Sequence, residues 1–146
     1  VHTTDNYIIF VSPSARIPRM FKRFCGLIVE VLQRMSVKSS QSGQKLLKLV
    51  RGPITDHFPA GTRQLAFSHS VSNVTDFYGL LKKSKIRKTT PLALVIGAMA
   101  HGNVLDMGDG NPYSFERELC ISSYPLSAAC AVNRVLGALE RWLLIL

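Results

Sequence analysis

A chain of 146 residues is long enough to bury one substantial core, and a hydrophobic content of 47 % excludes a disordered tail or linker. No apolar run approaches the roughly 20 residues that a bilayer-crossing helix needs, so that class is excluded too. The net charge of +9 favours an anionic partner, nucleic acid first, and fifteen of the eighteen basic side chains fall within residues 1–100, so the front two-thirds would meet the anion.

The chain begins at Val1 rather than Met, and its first residues read as the end of a strand, so a preceding segment is expected. Residues 7–11 form a short apolar strand that stops at Ser12-Pro13-Ser14. Pro18 opens a helix, at a position where its missing N–H costs nothing. Phe21, Phe24, Ile28, Val31, Leu32 and Met35, three and four apart, predict its apolar stripe. Residues 36–43 are a Ser- and Gln-rich loop, and residues 45–50 are short and apolar on one face. Gly52-Pro53 and Phe58-Pro59-Ala60-Gly61 punctuate a loop that holds Asp56 and His57.

Residues 63–68 predict a second strand and residues 74–81 a short helix. The run Lys82-Lys83-Ser84-Lys85-Ile86-Arg87-Lys88 reads as a solvated, mobile loop. Residues 92–96 are apolar at every position, which predicts a central strand covered on both faces, the habit of parallel sheets. A long polar loop is expected from Asn103 to about Phe115, and Ser127 caps a final helix. The apolar side of that helix is Ala128, Val132, Val135, Leu136, Leu139, Trp142 and Leu143. The order of elements predicts an α/β sheet with helices on its faces, in one domain. Cys25, Cys120 and Cys130 match no zinc spacing and are expected to be buried, reduced thiols; the four scattered histidines predict no metal site.

Three segments carry chemistry. Gly97-Ala98-Met99-Ala100-His101-Gly102 follows the apolar strand, where open α/β sheets bind ligands at the carboxyl ends of strands. Ile121-Ser122-Ser123-Tyr124-Pro125-Leu126 runs into the Ser127 cap and can present backbone groups and an apolar wall to a ring such as adenine. Taken alone, each is better read as ordinary structure, the first as a strand-to-loop turn and the second as a lead-in to a helix. The third is Arg16-Ile17-Pro18-Arg19-Met20-Phe21-Lys22-Arg23. Cations at a helix N-terminus oppose the peptide dipoles, so helix stability does not account for the cluster. Arg19 and Arg23, four apart, would share a helical face behind Arg16, and a bound phosphate would satisfy both the arginines and the free N–H groups.

Together these segments resemble the pseudouridine-N1-specific small-subunit ribosomal RNA methyltransferases, the Nep/Emg ribosome biogenesis factors of the SPOUT class. The likeness spans nearly the whole chain and includes Leu46-Leu47-Lys48 and Pro53-Ile54-Thr55-Asp56-His57-Phe58-Pro59, in the family's order. The resemblance implies an α/β trefoil knot with a largely parallel sheet and helices on both faces. It makes residues 1–146 one SPOUT methyltransferase domain lacking its N-terminal strand and helix. It implies S-adenosyl-L-methionine as cofactor, held largely through backbone at Leu65, Gly97, Gly102, Ile121, Ser122, Ser123, Tyr124, Pro125 and Leu126. Ser123 stands where the family usually has Asn. Small-subunit ribosomal RNA would be gripped by Arg16, Arg19 and Arg23.

A homodimer involving the last helix around Trp142, contacts with pre-ribosomal assembly factors and a nucleolar location also follow from the resemblance. The Arg and Asp that the family places near its target base lie in the segment expected ahead of Val1, so no catalytic residue is named. Asp56 is the nearest base in this chain, and its expected role is to brace its loop by hydrogen bonds to backbone. The competing readings are a non-catalytic ribosomal-RNA-binding assembly factor and a basic module for acidic proteins.

Overall fold

The computed structural model describes residues 1–99, 102–103 and 112–145. Ala100, His101 and residues 104–111, which belong to the expected glycine segment and polar loop, lie outside the described residues. The chain divides into two compact units, residues 1–57 and 58–146.

The first unit is built on an antiparallel sheet. β1 (Tyr7–Val11) and β2 (Ser36–Lys38) flank β3 (Lys45–Arg51), with Ile9 opposite Leu49 and Val11 opposite Leu47. Alternation in β3 turns Leu47 and Leu49 to one side, where they meet Ile9 of β1 and Val31 of α1 (Phe21–Arg34). The polar stretch read as a loop is the first arm and the turn of a hairpin: the Ser39 N–H donates to the Gln44 carbonyl at 2.8 Å, and Gly43 supplies the left-handed turn at φ 66°. Polar composition hid β2 because its partner strand, not its own residues, supplies the ladder.

α1 begins at Phe21, three residues after the position expected. Met20 precedes it in extended conformation with no side-chain cap. Starting earlier would add Arg19 to the end where the peptide dipoles already place positive charge. Arg16 and Arg19 therefore lie on the approach to the helix, and only Arg23 is in its first turn; Arg19 and Arg23 do not share a helical face. The expected apolar stripe is covered on one flank only. Val31 is fully buried, whereas Phe21 is 80 % exposed and Leu32 and Met35 are about half exposed. Beyond Arg51, Ile54–His57 form one turn of 3-10 helix.

The second unit holds the parallel sheet. β4 (Arg63–Phe67) lies between β5 (Leu92–Ile96) and β6 (Arg117–Leu119), with Leu65 in register with Leu94 on one side and Arg117 on the other. Among the described residues the fully apolar β5 is thus an edge strand, half-buried throughout, and the central place goes to β4, where Leu65, Ala66 and Phe67 are buried. α2 (Phe77–Lys83) and α3 (Ala128–Leu143) pack on each other and on one cluster of Leu65, Phe67, Phe77, Leu81, Ile86, Leu119 and Val135. Both helices serve the same face of this sheet, not opposite faces. The expectation of a largely parallel sheet holds for this unit alone.

Ser127 caps α3 as expected, its Oγ accepting from the Cys130 N–H at 3.3 Å. Trp142 packs against the core cluster, while Val132 and Leu136 on the same helix are exposed. Of the cysteines, all free, only Cys120 is buried; Cys25 is half-buried, and Cys130 is exposed because its position on α3 faces away from Val135. Among the described residues no three His, Cys, Asp or Glu side chains gather as a metal site, and no helix is long and apolar enough to cross a membrane.

Candidate cofactor cleft and basic surfaces

The three strands of the second unit run parallel, so their carboxyl ends lie along one edge of the sheet. Each strand passes into a loop there: Ser68-His69-Ser70 after β4, Gly97 onward after β5, and Ile121 onward after β6. These loops enclose a cleft of about 330 Å³. Its apolar wall comes from Phe67, Ile96, Ile121 and Leu126, and the first turn of α3 closes it with Ala128 and Ala131. Ser68, Ser70 and Asn103 supply the polar side. Ser68 Oγ lies 2.7 Å from Ser70 Oγ and donates to Asn103 Oδ1 at 2.9 Å, and Asn103 Nδ2 donates to Ser70 Oγ at 2.7 Å. This ties the loop after β4 to the loop after β5.

The segment after β6 is held from three directions. Arg134 Nη1 donates to the Ile121 carbonyl at 2.8 Å, the buried Cys120 thiol donates to the Ser122 carbonyl at 3.1 Å, and Ser122 Oγ accepts from the Tyr124 N–H at 3.2 Å. Among the described residues nothing engages the N–H of Leu126, which lines the cleft, so it is a donor the segment can offer. A flat apolar ring with polar edges, entering between Ile96 and Leu126, would find both walls and hydrogen-bonding groups.

Six of the nine expected cofactor residues line this cleft: Gly97, Gly102, Ile121, Ser122, Tyr124 and Leu126. Gly102 sits at φ +95°, a backbone conformation that side-chain-bearing residues rarely adopt. Leu65 is not in the lining; it is 1 % exposed at the centre of the sheet, and Phe67, two residues on, takes the place at the strand end. Ser123 faces a neighbouring cleft of about 700 Å³ that shares Ile121, Ser122 and Tyr124 with the first. Pro125 is exposed and lines neither. Ser68, His69, Ser70 and Asn103 lie outside the expected segments, whereas Met99 belongs to the glycine segment. The rule that ligands sit at strand carboxyl ends, applied to β4 as well as β5, would have found the first three.

Arg16, Arg19 and Arg23 are all exposed in the first unit, and none has an ion-pair partner among the described residues. Asp56 is exposed in the 3-10 turn, where its N–H donates to the Pro53 carbonyl at 3.2 Å. Among the described residues its carboxylate has no hydrogen-bond partner, so the turn is braced by backbone and not by the side chain.

A family model described as EMG1/NEP1 methyltransferase matches residues 1–140. The chain belongs to that family. It is 41 % identical over 140 residues to the mouse protein "Ribosomal RNA small subunit methyltransferase NEP1", a match covering 96 % of this chain and 53 % of the relative. The Caenorhabditis elegans protein "Ribosomal RNA small subunit methyltransferase nep-1" is 39 % identical over 140 residues, with 94 % of this chain and 56 % of that protein covered. The chain thus spans about half the length of the relatives it matches. In fold it is similar to the crystal structure of Archaeoglobus fulgidus Nep1 bound to S-adenosylhomocysteine, with a TM-score of 0.74, 20 % identity, and 97 % of this chain and 60 % of that chain covered.

Proposed function

We propose that the protein is an S-adenosylmethionine-dependent methyltransferase acting on N1 of a pseudouridine in small-subunit ribosomal RNA, in the course of small-subunit biogenesis. The observation that carries this reading is the cleft, which draws Gly97, Gly102, Ile121, Ser122, Tyr124 and Leu126 together from two separate segments of a chain in a methyltransferase family. The cleft suits the donor: its apolar walls match an adenine, and Ser68, Ser70, Asn103 and the N–H of Leu126 match the hydrogen-bonding edges. A methyltransferase relative solved with S-adenosylhomocysteine supports the same choice of ligand. The two units together would form one SPOUT methyltransferase domain, with the loops at the sheet edge threaded as a trefoil knot.

When bound, the donor supplies a methyl group on a positively charged sulfur. Ile96, Ile121 and Leu126 would hold the donor, and N1 would take its methyl group in exchange for a proton that passes to water. The chain's part is to bury the donor between Ile96 and Leu126, exclude water and hold the acceptor in line, so positioning dominates the barrier. The base must leave any stack to reach the cleft. Arg16, Arg19 and Arg23 would hold the RNA backbone. The exposed Val132 and Leu136 of α3, not the core-packed Trp142, would contribute to a homodimer. A nucleolar location and contact with pre-ribosomal assembly factors follow from the same role.

Calorimetric titration with S-adenosylmethionine and S-adenosylhomocysteine, paired with mass spectrometry of small-subunit RNA from cells lacking the protein, tests the proposal. Micromolar binding and loss of one methyl group are expected. Absence of binding to either compound by the full-length protein would overturn it. Methylation that survives in cells lacking the protein, with subunit assembly impaired, would favour a non-catalytic RNA-binding assembly factor.

A further inference from the structure

The run from Lys82 to Lys88 is not the mobile loop its composition predicts. Lys82 and Lys83 are the last turn of α2, Ser84 caps it with its N–H on the Leu80 carbonyl, and Ile86 is 6 % exposed in the core cluster. The Ser84 hydroxyl also accepts from the Ile86 N–H at 3.4 Å, and Lys88 Nζ reaches the Leu143 carbonyl at the end of α3, also at 3.4 Å. The buried isoleucine therefore holds the cations on a fixed surface. Arg141 of α3 joins them through Tyr78, whose ring centroid lies 4.3 Å from the Arg141 guanidinium and 5.4 Å from Lys82 Nζ.

Ordinary stability accounts for part of this surface. Lys82, Lys83 and Lys88 lie at helix carboxyl ends, where cations are favourable. Lys85 and Arg87 have no such reason: they follow the helix, are exposed, and pair with no carboxylate among the described residues. Six cations with no paired acid among the described residues make a strong positive field on the second unit, independent of the arginines of the first. Tyr78 also lines the 700 Å³ cleft that shares the Ile121–Ser122 wall with the donor cleft, so this surface lies next to that site.

We infer that Lys82, Lys83, Lys85, Arg87, Lys88 and Arg141 form a second RNA-binding surface, which holds phosphates and reads no sequence. The ring of Tyr78 is already engaged by two cations, so the patch offers phosphate contacts rather than a base-stacking platform. The inference rests on the proposed RNA substrate. The test uses the full chain, two fluorescently labelled single-stranded RNAs of unrelated sequence and a potassium chloride series. The variants are Lys85→Gln/Arg87→Gln, which spares both the core and the Lys88 contact, and Arg16→Gln/Arg19→Gln/Arg23→Gln. Lys85→Gln/Arg87→Gln is expected to weaken both RNAs equally and to flatten log affinity against log salt by about 1.4, at roughly 0.7 per single-strand phosphate contact.

Donor binding should stay unchanged in that variant. An unchanged slope in the two-residue variant, with binding lost in the arginine variant, overturns this inference and leaves the RNA reading intact. A loss confined to one of the two RNAs also overturns it, because that is sequence reading. If the wild-type chain binds neither RNA while an acidic polypeptide binds at the patch, both the inference and the RNA reading fall.

Discussion

Replacing Leu65 by Ala tests whether β4 is the central strand on which the cleft is built. Leu65 is 1 % exposed, in register between Leu94 and Arg117, and packed in the cluster with Phe67, Phe77, Leu81, Leu119 and Val135. Removing three carbons forfeits about 2.4 kcal/mol of transfer free energy, at about 0.8 per carbon. Paired strands on both sides keep β4 from collapsing inward, so a cavity on the order of 70 Å³ would persist and add about 1.7 kcal/mol. Together they predict a loss of about 4 kcal/mol, a large part of the roughly 5–15 kcal/mol that holds a typical domain. The melting midpoint should fall by about 8–16 °C.

Trp142 is the single tryptophan and packs on the same cluster, so urea titration followed by its fluorescence reports this unit. Because the Leu65 side chain does not line the cleft, S-adenosylhomocysteine affinity at low temperature should stay within about threefold, less than 1 kcal/mol. A stability loss below about 1 kcal/mol would refute the placement of β4 in the core. A tenfold or greater loss of affinity in a variant still folded would refute the boundary drawn between core and cleft.

Three further outcomes are expected. Arg16→Gln/Arg19→Gln/Arg23→Gln should lower RNA affinity in the salt series, yet relieving the cation in the first turn of α1 should raise stability by a few tenths to about 1 kcal/mol; a fall in stability on urea titration would contradict the dipole argument. Arg134→Met, which removes the donor to the Ile121 carbonyl, should weaken S-adenosylhomocysteine by about fivefold in calorimetry, the worth of about 1 kcal/mol; unchanged affinity would mean the segment after β6 holds its shape without it. Arg63 forms a two-pronged ion pair with Glu116, and its hydrogen bonds hold the Glu116 carboxyl below the usual carboxylate range. The pair's contribution is therefore present above the ordinary glutamate pKa and lost as pH falls through the depressed one; being partly exposed, it is under about 1 kcal/mol. Urea midpoints between neutral and acid pH should fall less steeply in Arg63→Gln than in the wild type, and equal slopes would contradict the coupling.

Much of the cleft is legible in the sequence. Gly97 and Gly102 follow an apolar strand, and Ser127 marks the start of a helix by its own chemistry, so local rules sufficed to place both. The charge cluster at Arg16–Arg23 was equally plain, because it contradicts what a helix end prefers. The beginning of α1, three residues late, was not: Pro18 suits a first helical turn, and only the extended backbone of Met20 shows that the chain declines it.

What the sequence determined by itself was therefore most of the local elements, the sign and place of the charges, and two of the segments that line the cleft, since all of these depend on neighbours along the chain. What only the tertiary structure decided was partnership across the chain. An apolar run cannot say whether it will be central or at an edge, and β5 took the edge because, among the described residues, β4 alone pairs with it. Ser36–Lys38 became a strand because β3 lay beside it. The basic run of residues 82–88 became a fixed surface because the one apolar side chain within it, Ile86, found a core to enter.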